Sequence, residues 1–308
     1  MRGLLDQLQC GVVSDPGGRL ANDDRYMLFS THVAGRPRCT MIAVLDGHHA
    51  HHVASAVRDE LPRAFVRAQH AEGDLLRALG ASVAALDEHV YALFERGAFR
   101  TGGTTLLAGV VAGDRLFTAN VGDCKALLSV RGAGEALNTC HNPDVASERR
   151  RFAAAGVGTA ADFILCSDIN VCRSIGDWDL GQPLKWRDDV TGAARGPLVA
   201  DPELRVRRLT DADEFFVMAS DGLWDYYTPD SSVVTDARRA LRANRGDAQA
   251  CSEWLLGQAL LRQRAVLHPG TPGDNITIAV VTLRPLPQLP RHSRSRLNLR
   301  AVGPGDGA

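Results

Sequence analysis

The chain has 308 residues, 45% of them hydrophobic, and a formal net charge of −1. That apolar content can fill one large core or two ordinary ones, and the balanced charge gives no bulk attraction to nucleic acid or to an anionic membrane. Seven scattered cysteines without a C-x-x-C pair point to reduced thiols rather than a disulfide framework. Met1–Gln9 lacks a signal-peptide core, and no run reaches the roughly 18–20 apolar residues of a membrane span, so a soluble cytoplasmic protein is expected, with the nucleus also open.

Met41–Leu45 is a short apolar run that reads as a strand buried on both faces. Val53, Val57 and Leu61 then form a helical stripe that Pro62 should end or kink. Leu75, Leu79, Val83, Leu86, Val90 and Leu93 form a longer one. Gly113-Asp114, after the apolar run Leu106–Val111, predicts a two-residue type II′ hairpin. Alternation at period two follows in Phe117, Ala119 and Val121 and again in Ala126, Leu128 and Val130, predicting half-buried strands. Asn142-Pro143 or Asp144 should cap a helix through Arg149 to Ala155, stopped by Gly156. Phe215–Ala219 reads as a second buried strand. Val233, Ala237 and Leu241, then Ala250, Trp254, Leu261 and Ala265, read as two more helices, and Ile276, Ile278 and Val280 as a last half-buried strand.

Strands come in runs joined by hairpins and helices come in pairs. That predicts an α+β fold with helices covering antiparallel sheets. No linker interrupts residues 1–284, which read as one domain, whereas residues 285–308 are rich in proline, arginine and glycine and are expected to be a disordered, solvated tail.

Aspartate stands repeatedly at the mouth of an apolar strand. Asp46-Gly47 follows Leu45, Asp221-Gly222 follows Ser220, Gly122-Asp123 follows Val121, and Asp274-Asn275 opens the last strand, while Asp23-Asp24 precedes Tyr26–Phe29. Each alone is an ordinary turn. Together they would repel one another in a cleft unless cations neutralised them, and an all-oxygen set suits magnesium or manganese rather than zinc. Two such ions can activate water against a phosphoryl group, so the residues alone point to a metal-dependent phosphoryl hydrolase.

The motifs in order resemble those of the metal-dependent serine/threonine protein phosphatases of type 2C. Arg19-x-x-Asn22-Asp23-Asp24 is similar to the family's Arg-x-x-Asn-Glu-Asp, and Asp46-Gly47-His48 matches its Asp-Gly-His. Thr101-Gly-Gly-Thr104-Thr105 and Asn120-x-Gly122-Asp123-Cys124 follow, then His141-x-Pro143 with Glu148-Arg149. Cys172-Arg173-Ser-Ile-Gly176-Asp177, Ser220-Asp221-Gly222-Leu-Trp224-Asp225 and Asp274-Asn275-Ile-Thr277 complete the series. The resemblance spans Gly11 to Leu283 and implies two packed antiparallel sheets flanked by pairs of helices. It further implies that Asp46 bridges two Mn or Mg ions with the Gly47 carbonyl a further ligand. Asp23 then serves the second ion, Asp221 and Asp274 the first, and Asp123 with Asp221 a third, weaker one. Arg19 would grip the phosphate of a phosphorylated protein and His48 would protonate the leaving oxygen, with a metal-bridging hydroxide attacking phosphorus in line. A monomer is the family's common state.

Four departures stand out. Asp23 is one methylene shorter than the family's glutamate, Cys124 and Cys172 replace serines, Val157-Gly158 replaces a second glycine, and the segment Trp178–Pro197, where the family has a substrate-side flap, is short. A pseudophosphatase acting as a binding or scaffold protein is the alternative, motivated by Asp23, by the histidine-rich run His49–His52 and by the basic tail. Of the run His48–His52, His48 is read as the proton donor and the rest as a solvated helix start, in preference to a zinc site. Thr104, Asn120 and Asn275 are expected to pin strand ends through the backbone, Trp224 to pack in the core, and His141 to serve either in the core or in catalysis.

Overall fold

The computed structural model describes residues 8–35, 37–155, 170–178, 185–188 and 190–286. Gly156, Val157-Gly158, Cys166 and the Pro/Arg-rich stretch from 287 onward lie outside them, as do 179–184 and 189 of the expected flap. The strands are β1 (Gln9–Asp15), β2 (Arg25–Thr31), β3 (Cys39–Leu45), β4 (Gly47–His48), β5 (Gly103–Thr104), β6 (Leu106–Ala112), β7 (Arg115–Val121), β8 (Lys125–Val130) and β9 (Ala133–Ala136). They continue with β10 (Ile175–Gly176), β11 (Trp186–Arg187), β12 (Ala194–Arg195), β13 (Glu203–Arg208), β14 (Asp213–Ala219) and β15 (Ile276–Thr282). One five-stranded sheet has the order β1-β15-β14-β8-β9 and the other β13-β7-β6-β3-β2, every pairing antiparallel.

Period-two alternation sorts the side chains into layers. Ile42 and Val44 of β3 meet Leu128 of β8, Phe216 and Met218 of β14 and Val281 of β15 between the sheets. Met41, Ala43 and Leu45 point the other way, onto the helices α1 (His52–Ala71) and α2 (Leu75–Glu95). On the far side Phe215, Val217, Ile276, Ile278 and Val280 pack under the helices Ser231–Ala243 and Ala248–Val266. The result is the expected helix–sheet–sheet–helix sandwich, with Trp224 in its core.

Three expectations are corrected. β7, β8 and β15 are covered on both faces rather than one, because Thr118, Thr277 and Ala279 of β7 and β15 are small or hydrogen-bonded and fit between the sheets, while Leu127 and Ser129 of β8 are covered on the opposite side. Pro62 does not end α1, which runs on to Ala71. The stripe continues through Ala64, Phe65 and Ala68, and burying it outweighs the one bond that proline withholds. Neither Asn142 nor Asp144 caps α3 (Ala146–Ala154); the cap position is Val145, and the Asn142 carboxamide instead accepts from the Asp144 amide at 3.2 Å. The hairpin stands as predicted. Gly113-Asp114 joins β6 to β7 with Gly113 at φ +59°, a positive value at the first turn position that type II′ requires.

Two buried carboxylates anchor the chain around and after α3. Glu148 is clamped by Arg173 at 2.6 Å and Arg151 at 2.7 Å. Asp87 of α2 holds Lys185 at 2.7 Å and also accepts the Gly176 amide at 2.9 Å. Of the expected flap, β11 and β12 form a small hairpin.

Candidate active site

The carboxylates gather where strand ends are pressed backbone to backbone. A Cβ on Gly47 would lie 2.5 Å from the Asp23 carbonyl, and one on Gly222 would lie 2.1 Å from that of Asn275. These glycines let the end of β3, the loop before β2, the end of β14 and the start of β15 close on one cleft. Thr104, Asn120 and Asn275 do pin this region. Thr104 Oγ1 donates to the Asp46 carbonyl at 3.1 Å. Asn120 Nδ2 donates to the carbonyls of Gly122 at 2.9 Å and Thr139 at 2.8 Å. Asn275 donates to the carbonyls of Pro16 and Ala21 at 3.0 Å each and accepts the Asp23 amide at 2.8 Å.

Asp46 lies at the floor. Loss of surrounding water first, then the charges of Asp221, Asp24, Asp123 and Asp274, push its carboxyl well above the usual range. Asp221 is raised in the same way, by burial and then by Asp123 and Asp274. Asp123 is pushed up to about 7, chiefly by burial. Asp46, Asp123, Asp221 and Asp274 thus feel one another, as the sequence suggested. Asp23 sits at the edge, its side chain 22% exposed and its Oδ1 3.9 Å from His51 Nδ1.

Sequence reasoning passed over three carboxylates. Asp24 is 3% exposed, accepts from Ser220 Oγ at 2.7 Å, and is raised to about 6 by burial despite that bond. Asp225, one turn after Asp221, presses on Asp123 and Asp221 from the rim. Asp177, 1% exposed, takes the His48 Nε2 contact at 2.7 Å and accepts Ser174 Oγ at 2.6 Å. Burial would raise Asp177, yet the charge and hydrogen bond of His48, with the Ser174 bond, hold it below the ordinary carboxylate range. Asp225 had a signal, its spacing from Asp221; Asp177 had none beyond its motif.

Among the described residues no three His, Cys, Asp or Glu side chains are yet drawn onto one point. The residues nevertheless fit divalent cations. Every clustered donor is a hard oxygen, the carboxylates raise one another, and Oδ1 of both Asp24 and Asp123 is buried without a hydrogen-bond partner. Arg19 meets Asp274 Oδ2 at 2.9 Å, which places its guanidinium at the cleft edge. His141 is a core residue. It is 3% exposed, its Nδ1 accepts the Gly122 amide at 3.2 Å, and burial lowers it to about 4. His52 stacks on Phe99, so His48, His51 and His52 do not converge on a zinc site.

Two substitutions probe this geometry. A Cβ on Gly103 would lie 2.1 Å from Asp177 Oδ2 and 2.5 Å from His48 Nε2. Gly103→Ala is therefore expected to part that pair and lower kcat at least about tenfold with KM little changed, read by steady-state kinetics beside a circular-dichroism check of folding. Ala50 has φ +136°, a conformation natural only to glycine. Ala50→Gly is expected to raise the melting temperature, since about 1–3 kcal/mol of relieved strain exceeds the entropy that glycine costs.

A helix-flanked double sheet thus carries an acid-lined cleft with an arginine at its edge and a histidine beside it. The protein phosphatase 2C family model matches residues 22–265. The chain is 32% identical over 284 residues to the probable protein phosphatase 2C 22 of Arabidopsis thaliana, covering 90% of this chain and 69% of that protein. It is 33% identical over 258 residues to the probable protein phosphatase 2C 57 of Oryza sativa subsp. japonica, covering 82% and 66%. The crystal structure of serine-threonine phosphatase 2C from Toxoplasma gondii superposes with a TM-score of 0.71 at 22% identity, covering 90% of this chain and 95% of that one. This chain belongs to the protein phosphatase 2C family, the metal-dependent protein serine/threonine phosphatases. No helix among the described residues is long and apolar enough to cross a membrane.

Proposed function

We propose that the chain hydrolyses phosphoserine and phosphothreonine in other proteins with the help of two Mn or Mg ions. The observation that carries this reading is the mutual pressure of Asp46, Asp221, Asp123, Asp274 and Asp24 in one cleft. Asp46, the Gly47 carbonyl, Asp221, Asp274 and Asp23 would hold the two ions, with Asp123 and Asp221 available to a third. When bound, such ions supply a nucleophile from water at neutral pH and offset the charge of the phosphoryl oxygens.

The remaining work falls to the chain's own groups. Arg19 stands at the cleft edge, 47% exposed, where its planar guanidinium can take two phosphate oxygens. His48 is set by Asp177 at 2.7 Å, and its ring is the group able to deliver a proton to the departing serine or threonine oxygen. The Thr104 and Thr105 hydroxyls fix the Asp46 backbone, Thr105 Oγ1 accepting its amide at 3.1 Å. The Cys124 thiol, buried and pushed well above its usual range by burial and by Asp46, stays protonated and inert.

The test is turnover of a phosphothreonine peptide, a nucleotide and an aryl phosphate with Mn, with Mg and with chelator, for the wild type and Asp221→Asn. Metal-dependent turnover favouring the peptide and lost in the variant is expected. Turnover that survives chelation would overturn the reading, and calorimetry showing no Mn uptake would leave a scaffold instead.

A further inference from the structure

His51 is placed by strained backbone. The turn between β4 and α1 carries φ values of +58° at His49 and +136° at Ala50, and it returns the chain to the loop that precedes β2. His51 occupies the cap position of α1 but makes no side-chain capping hydrogen bond. Its ring lies beside that of His52, with centroids 5.5 Å apart, and its Nδ1 is 3.9 Å from Asp23 Oδ1. That gap is too long for a hydrogen bond. The neighbouring rings are otherwise engaged, His52 on Phe99 and His48 on Asp177, with His49 packed edge-on to His48.

Asp23 is held just as firmly. Its amide donates to Asn275 Oδ1 at 2.8 Å, and its carbonyl lies against Gly47. Its carboxylate is short for the position and sits outside the group of four that press on Asp46, namely Asp221, Asp24, Asp123 and Asp274. Two donors bound to one cation at about 2.1 Å stand about 3 Å apart when adjacent and about 4 Å apart when opposite. The 3.9 Å between His51 and Asp23 falls inside that span. Both groups are open to water, at 53% and 22% exposure, so an arriving ion can meet them without unfolding anything.

On the reading of the acidic cleft given above, we infer that His51 Nδ1 and the Asp23 carboxylate together hold the outer cation. The imidazole makes up the reach that the shorter carboxylate lacks. A nitrogen donor is well tolerated by manganese and poorly matched to magnesium, which keeps to oxygen ligands. The outer position of this chain is therefore selective for manganese.

Pulsed electron paramagnetic resonance on the full chain loaded with Mn(II) tests this directly. The expected spectrum carries nitrogen modulation from a directly bonded imidazole, lost in His51→Ala and kept in His49→Ala. Calorimetric titration is expected to show Mn affinity falling by roughly tenfold in His51→Ala, with Mg affinity nearly unchanged. Asp23→Glu added to His51→Ala should restore Mn affinity without restoring the nitrogen signal, because the longer carboxylate then reaches alone. Normal Mn uptake without nitrogen modulation, or modulation that persists in His51→Ala, overturns the His51 assignment and leaves the phosphatase reading standing. Failure of the wild type to take up Mn at all overturns both. Circular dichroism of each variant separates loss of a ligand from loss of the fold.

Discussion

Asp46→Asn is expected to cut metal-supported turnover by at least about 10³-fold while raising the melting temperature of the chelator-treated protein. Both effects come from one cause. Asp46 is crowded by four other carboxylates at the floor of the cleft, so its charge is useful with cations present and costly without them. A neutral amide of the same shape removes the cost and the use together. The pH dependence follows the same logic. Asp24 and Asp123 are raised by burial to about 6 and about 7, so the folded chain keeps protons that the unfolded chain releases near pH 4. Their contribution is fully present below about pH 4, shrinks as pH rises, and is gone above about pH 7. Every tenfold by which the folded chain binds such a proton more tightly than the unfolded one is worth about 1.4 kcal/mol. Differential scanning calorimetry in chelator should therefore find a lower melting temperature at about pH 7.5 than at about pH 5. Saturating Mn should reverse that order, because ion binding favours the deprotonated carboxylates. A melting temperature that climbs with pH in chelator would contradict the crowded-carboxylate account.

His48→Ala is expected to lower kcat on a phosphoserine peptide by about 10²–10³-fold and to leave hydrolysis of 4-nitrophenyl phosphate nearly unchanged. A serine alkoxide leaves only with a proton, whereas a nitrophenolate leaves without one, so the pair of substrates separates proton delivery from everything else the residue does. Asp177→Asn should show the same pattern at smaller size. Its carboxylate is buried, receives His48 Nε2 at 2.7 Å and is itself fixed by Ser174. Steady-state rates on both substrates decide the matter: equal losses on the two would mean that His48 shapes the cleft without donating a proton.

The sandwich was readable because period-two and helical stripes report burial directly, as in β3 and α2. Pro62 misled because a proline reports a missing bond and not what the rest of the helix buries. Ala64, Phe65 and Ala68 outvoted it. Alternation in β7 and β15 looked like one wet face because Thr118 and Thr277 are polar, although their hydroxyls are satisfied inside. The acidic centre was visible because several apolar runs begin or end beside an aspartate. The division of labour between Asp23 and Asp24 was not visible. Asp24 is buried against Ser220 whereas the Asp23 side chain stays partly exposed, a difference that two adjacent aspartates before a strand do not signal. Asp177 stayed hidden for a different reason. It follows a two-residue strand, has φ +57°, and reaches His48 across 129 positions of sequence, so neither periodicity nor spacing could announce it.

On the roles proposed for Arg19 and Asp274, the contact between them would tie two binding events together. At 2.9 Å and partly exposed, it is a pair easily exchanged. The guanidinium can turn to an incoming anion at little cost only if Asp274 finds its counter-charge elsewhere. Phosphate affinity and cation loading must then be thermodynamically linked, each tightening the other by an equal factor. Inorganic phosphate, a product, would accordingly hold the protein in its loaded form.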